Sequence, residues 1–332
     1  MTTVEQAASS PARSFRRELP TVRAAVIQAE SPFLDIDAGV EKACRLIEEA
    51  RRGGARVIAF PETWLPGYPF WLWTERTISS GLFLDLFENA VEIPGRVTET
   101  LGEAARRAGA WTVIGVNERT TLVPGTLYNT QLFLAPDGSV ALARRKVMPT
   151  HVERTVWGWG GAEGLRVLDT PAGRLGGLIC WEHEMPLVRQ ALHEQGEQVH
   201  VAAWPAMRSQ NKHIDFGCRQ YAFEGACFVL VAGGLFDPAR WEGRFGQQTG
   251  RAAANGGSAI IAPSGEYLAG PVYDAEVVLY ADLDLRMCAQ HKYWVDVAGH
   301  YHRPDLLRLD WPAGRPYEGG TRPEVEEPAD EE

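Results

Sequence analysis

No apolar run in this 332-residue chain approaches the ~20 residues that a membrane-crossing helix needs. The opening residues, MTTVEQAASSPARSFRREL, lack the hydrophobic stretch of a secretory signal. Their Ser, Ala and Arg content faintly resembles a transit peptide, but Glu5 and the missing apolar face favour a flexible N-terminal arm over residues 1–20. Cysteine is scarce: Cys44, Cys180, Cys218, Cys227 and Cys288 are dispersed, with no close pair of metal or redox type. An odd, scattered set argues for reduced thiols rather than a disulfide framework, and so for a cytoplasmic protein. Positive charge is also short, and a net charge of −10 disfavours nucleic acid as a partner. The 8 histidines are spread without metal-ligand spacing, so no metal is expected. These absences leave a soluble globular protein that meets neither membrane nor nucleic acid.

What is present is ordinary globular composition, 45% hydrophobic and 23% charged. TVRAAVIQAE reads as a buried strand. Asp37 then caps a helix whose Val40, Ala43, Cys44 and Ile47 fall on one face, stopped by Gly53-Gly54. ARVIAF, WTVIGVNER, LYNTQLFLA, SVALARRK, RVLDT, GRLGGLIC, VHVAAW, ACFVLVAGG, SAIIAP and EVVLYADLDL read as strands. The turn APDGS joins two of them into a hairpin. GRVTETLGEAARRAGA, MPLVRQALHEQG and NKHIDFGCRQYAFEG read as helices. The pattern implies an α/β fold with enough strands for two mixed sheets and helices outside both, in a single domain over residues 21–312. Residues 313–332 are rich in Glu and Asp with almost nothing apolar to bury, which predicts a disordered acidic tail.

Three polar residues leave three apolar strands. ARVIAF is followed by Pro61-Glu62, SVALARRK ends at Lys146, and GRLGGLIC ends at Cys180. Side chains beyond the carboxyl ends of strands are held rigidly yet exposed, where α/β proteins collect ligands. A thiol, a carboxylate and an ammonium together suit nucleophilic attack on an electrophilic carbon, with proton transfer and charge stabilisation supplied alongside. Taken singly, a lone cysteine is more often an inert core residue, and Glu62 and Lys146 read as solvated termini. Spacing alone does not make the three converge.

RVIAFPETWLPGYP, RRKVMPTHVERTVWGWG and GGLICWEHEMPLVR resemble the glutamate-, lysine- and cysteine-bearing signatures of the nitrilase branch of the carbon–nitrogen hydrolase superfamily. VHVAAWPAM and GHYHRPDLLRL resemble the same branch, so the likeness runs over about Val22 to Leu309. It implies a four-layer α-β-β-α sandwich and no cofactor. It implies Cys180 as nucleophile, Glu62 as general base and acid, Lys146 as cation, and Glu153 as a proton shuttle or positioning residue, against a bare salt bridge to Arg154 or Lys146. Lys146 and Glu62 are expected to hold Cys180 as a thiolate. The implied reaction is hydrolysis of an organic nitrile to carboxylic acid and ammonia through a thioimidate and a thioester. The alternatives are an amidase or cyanide-degrading enzyme on the same residues, or a non-catalytic scaffold.

Trp157, Trp181, Tyr68 and Trp204 are the candidate substrate-binding aromatics, each readable instead as core or interface; Trp157 and Trp181 stand nearest the matched positions. They favour aromatic, arylaliphatic or longer aliphatic nitriles. His183 reads as a structural hydrogen-bonder rather than a base. The branch's Gly-Asp-Gly after the lysine segment is absent from WGWGGAEG, where either Glu163 replaces the missing acid or the loop takes a different shape. The resemblance further implies a homodimer or larger homo-oligomer, extending to spirals or filaments. Its twofold would be built from the helices Pro186 to Gln195 and Lys212 to Glu224.

Overall fold

The computed structural model describes residues 19–73, 80–121, 125–241 and 253–310. The expected acidic tail lies outside them, as does all of the expected arm but Leu19 and Pro20.

Two mixed sheets form the centre. The first is eight-stranded, ordered β15 (Val277–Asp284), β1 (Thr21–Gln28), β2 (Val57–Ala59), β4 (Trp111–Arg119), β5 (Leu127–Leu134) and β6 (Val140–Arg145). The short β3 (Val91–Glu92) pairs with β4, and β7 (Trp157–Gly158) with β5. The second is seven-stranded, ordered β12 (Leu235–Phe236), β13 (Ala254–Ile261), β11 (Phe228–Gly233), β10 (Val199–Trp204), β9 (Gly173–Ile179) and β8 (Leu168–Thr170), with β14 (Tyr267–Tyr273) on β13.

The strands' unbroken apolar runs follow from being covered on both faces. In β1, Ala24 and Val26 point inward to meet Val201 and Leu230 of the other sheet, while Ala25 and Ile27 point outward. The outward side is covered by α1 (Ile36–Arg52) and α3 (Arg96–Ala108) through Ala43, Ile47, Leu101 and Ala105. On the second sheet, Leu178, Ala202 and Val229 meet α4 (Pro186–His193) and α5 (Asn211–Gly225) through Leu192, Ile214 and Ala222. Helix, sheet, sheet and helix are the four layers expected.

Two details differ from the sequence reading. Asp35, not Asp37, caps α1: its backbone is extended and its carboxylate accepts from the Ala38 amide at 3.0 Å, while Asp37 lies in the first turn and favours the dipole there. Among the described residues, six further strands and α-helices lie outside the segments expected from sequence, namely α2 (Ser80–Glu88), the short β3, β7 and β12, β14 and α6 (Arg286–Lys292). β14 carries Gly270-Pro271, and its place at the sheet edge is where a proline is tolerated.

Candidate active site

Each of the three chemical side chains is delivered by a strand end whose local shape has a cause. Beyond β2, Phe60 still donates to Val113 at 2.8 Å, after which the chain folds over β4. A glycine, Gly115, makes that approach possible: a Cβ there would stand 2.3 Å from both the Pro61 carbonyl oxygen and the Thr63 nitrogen. Glu62 is thereby turned inward and is 2% exposed. Lys146 follows β6, its amide still donating to Asn129 at 2.7 Å, and its side chain is fully buried. Cys180 closes β9 with φ 54°, a left-handed backbone that costs a non-glycine residue about 1 kcal/mol or more and aims the thiol out of the strand.

A buried ion pair fixes the lysine and cysteine strands to one another. The Arg144 guanidinium, two residues before Lys146, lies 2.7 Å from Glu182 Oε2, both side chains being sealed from solvent. Glu182 also accepts from the amide of Val147 at 2.6 Å and that of Ile179 at 2.7 Å, the neighbours of Lys146 and Cys180. One carboxylate thus binds the backbones of both sheets beside Lys146 and Cys180.

The Lys146 ammonium sits between two carboxylates, 2.9 Å from Glu62 Oε1 and 2.8 Å from Glu153 Oε2. Oxygens of Glu62 and Glu153 and the Cys180 sulfur all lie within 4.8 Å of one another. Such donors suit a metal ion, but the ammonium already holds the central cationic place. Asn129 Nδ2 donates to Glu62 Oε1 at 2.6 Å, Tyr68 OH to Glu153 Oε1 at 2.7 Å, and the Thr150 amide to Glu153 Oε2 at 2.6 Å. Glu62 Oε2 keeps a free lone pair among the described residues.

Burial dominates the electrostatics. It pushes the Glu62 carboxyl up to about 7, against Lys146 and with Glu153 adding to the rise. It likewise pushes the Cys180 thiol well above its ordinary value, Glu62 reinforcing and Lys146 opposing. Lys146 is held protonated by Glu153 and Glu62, which together outweigh its burial. The expected resting thiolate is therefore corrected. With two carboxylates beside it and one ammonium shared between them, a third anion is unfavourable, and the buried thiol holds its proton. Two groups escaped the sequence reading: Asn129, and Gln210, whose Nε2 approaches the sulfur at 4.0 Å. Asn129 sits mid-strand and Gln210 in a turn, each without a motif to mark it.

Residues 23–293 match the carbon-nitrogen hydrolase family model. The chain belongs to the carbon–nitrogen hydrolase family. Within it, a nitrilase of Talaromyces marneffei is 39% identical over 306 residues, spanning 87% of this chain and 94% of the relative. An arylacetonitrilase of Aspergillus niger is 39% identical over 300 residues, spanning 87% and 88%. These relatives place the hydrolase in the nitrilase branch. A carbon-nitrogen hydrolase structure from Helicobacter pylori G27 shares its fold, with a TM-score of 0.70 at 20% identity, covering 87% of this chain and 99% of that one.

The four candidate aromatics of this hydrolase fall in different places. Tyr68 lines a cleft at Glu62 together with Phe33, Trp64, Phe70 and Phe236. Trp157 touches Tyr68 edge-on at 5.6 Å, is buried, and donates its indole N–H to Asn117 Oδ1 at 2.9 Å. Trp181 and Trp204 meet each other edge-on at 6.3 Å and do not line that cleft, with Trp181 also against His213 and Trp204 stacked on His183. Phe70 belongs to the aromatic run after the glutamate signature, whereas Phe33 and Phe236 come from segments that carry no signature. Glu163 is exposed, outside the buried cluster.

Proposed function

We propose that this hydrolase converts an organic nitrile to its carboxylic acid and ammonia, with Cys180 as nucleophile, Glu62 as base and acid, and Lys146 as the fixed cation. The observation that carries the reading is the meeting of thiol, two carboxylates and ammonium in one buried cluster. As sulfur attacks the nitrile carbon, the thiol proton passes to Glu62 and on to the nitrile nitrogen, forming a thioimidate. Lys146 and the Trp181 backbone N–H, which faces the sulfur, stabilise the charge that develops on that nitrogen. Glu62 then takes a proton from water as it adds, ammonia leaves from the tetrahedral intermediate, and a thioester remains. A second water releases the acid and returns the proton to sulfur. A carboxyl near pH 7 suits both directions of transfer. Glu153, fixed by Tyr68, Lys146 and Thr150, orients the ammonium.

The cleft's aromatic lining supports aryl or arylacetic nitriles, as does the name of the Aspergillus niger relative. A phenyl group buried against such rings gains ~1.5–3 kcal/mol that cyanide or acetonitrile does not collect. Ammonia release across panels of nitriles, amides and cyanide tests the reading. Turnover of amides alone, or a preference for cyanide over every aromatic nitrile, overturns it. The working form is a homo-oligomer paired through α4 and α5; their exposed Leu187 and Phe216 support this.

A further inference from the structure

Behind the nucleophile lies a row of buried groups to which the chemistry above gives no task. His183 Nδ1 is 2.7 Å from the backbone carbonyl of Cys180, and its Nε2 is 3.0 Å from Nε2 of His200 on β10. His200 Nδ1 is 2.8 Å from Glu197 Oε1, and Tyr221 of α5 donates to Glu197 Oε2 at 2.5 Å. His183 and His200 are fully buried and Glu197 is 1% exposed. Room for the carboxyl is specific to it: a Cβ on Gly176 of β9 would stand 2.1 Å from Glu197 Oε1.

The order of hydrogens in this row follows from its first member. A carbonyl only accepts, so His183 Nδ1 carries a hydrogen. Neutral His183 then accepts at Nε2, His200 donates from Nε2 and accepts at Nδ1, and Glu197 must donate from a protonated Oε1. Three links need three hydrogens, and two neutral imidazoles and one carboxylic acid supply that number. Moving a proton along the row leaves the count unchanged. Losing one does not. An ionised Glu197 draws the His200 hydrogen to Nδ1, and His183 is left without a partner at Nε2 or without a hydrogen at Nδ1. Either loss releases the ring that holds the Cys180 carbonyl.

We propose that Glu197, acting through His200 and His183, is a positioning residue that holds the left-handed backbone of Cys180 in place only while Glu197 is protonated. The charged and titratable groups around the row are Arg144 from β6, Glu182 from the turn after Cys180, His193 from α4, Tyr221 from α5 and Cys227 ahead of β11. Burial pushes the Glu197 carboxyl up to about 8, with the Tyr221 hydrogen bond and Arg144 opposing it. The loss of order therefore falls on the alkaline side.

The inference rests on Cys180 being the nucleophile, and the test separates the two. Wild type, Glu197→Gln and His183→Asn are compared in kcat and KM from pH 6 to 10 on an arylacetic nitrile. Cys180 alkylation by iodoacetamide, read by mass spectrometry over the same range, needs no turnover. The Gln amide donates to His200 and accepts from Tyr221 without ionising, and Asn at 183 donates to the carbonyl directly. In wild type, kcat falls above pH 8 with KM flat, and both variants retain at least threefold more of their pH 7 kcat at pH 9. The alkylation ratio of wild type to Glu197→Gln, set to one at pH 7, departs from one by at least threefold at pH 9. An alkaline limb unmoved in both variants, or an alkylation ratio that stays at one, overturns the proposal. A wild type inert to nitriles whose alkylation ratio still departs from one overturns the nitrile reading instead.

Discussion

At the scale of the residue, the cluster's cost and its use are the same fact. Replacing Cys180 by Ala removes the proposed nucleophile, so turnover should be abolished while the circular dichroism spectrum stays native. Cys44→Ala, at a part-exposed position outside the cluster, keeps activity with a loss of ~1 kcal/mol or less. Glu62→Gln lowers kcat by ~10² or more, since the amide cannot carry the proton. It also changes the stability profile. The folded Glu62 carboxyl holds its proton to about pH 7 against an ordinary 4.5, so folding takes up a proton between these limits. Wild-type stability gained below pH 4.5 is lost as pH rises through 7 and then levels. A glutamine has no such loss, and the variant's Tm should exceed wild type at pH 8 by more than at pH 5. The same ionisation gives kcat/KM an acid limb near pH 7. An equal Tm difference at both pH values would remove the argument from burial.

At the scale of the element, strands and helices were legible because their apolar periods are strong, and the convergence of their ends was not. VHVAAW and NKHIDFGCRQYAFEG begin and end where the sequence reading placed β10 and α5. Nothing in RVIAFPE, however, announces that Gly115, more than 50 residues later, lets the Glu62 turn lie on β4. Gly115→Ala puts a methyl against backbone on both sides, where no side chain can swing away. It should cost ~1–3 kcal/mol by chemical denaturation and lower kcat well beyond what that loss explains, because Glu62 moves with the turn. Full activity in this variant would mean that the turn is not what aims the carboxylate. The aromatic cleft was half legible: Tyr68 lies inside a signature, while Phe33 and Phe236 come from segments far apart in sequence that meet only on folding, ring centroids 5.5 Å apart. Phe236→Ala should lower kcat/KM for arylacetic nitriles several-fold more than for a short aliphatic one.

At the scale of the whole molecule, apolar surface remains uncovered. Leu187 on α4 is 68% exposed and Phe216 on α5 51%, on helices joined by the Arg189–Glu224 bridge at 3.2 Å. Multi-angle light scattering should report a dimer or larger particle at micromolar concentration, and Leu187→Asp with Phe216→Ser should reduce its mass. A monomeric wild type removes the assembly reading and leaves the chemistry standing. The two-sheet origin of the cluster has one more consequence. Glu62, Lys146 and Glu153 come from the first sheet's strands and loops, and Cys180 comes from the second. A chain emerging from the ribosome therefore carries Glu62 and Lys146 before Cys180, and neither half of the sandwich alone possesses all three. Recovered turnover during refolding is a clock for the closing of one sheet upon the other, and the thiol stays chemically ordinary until that moment.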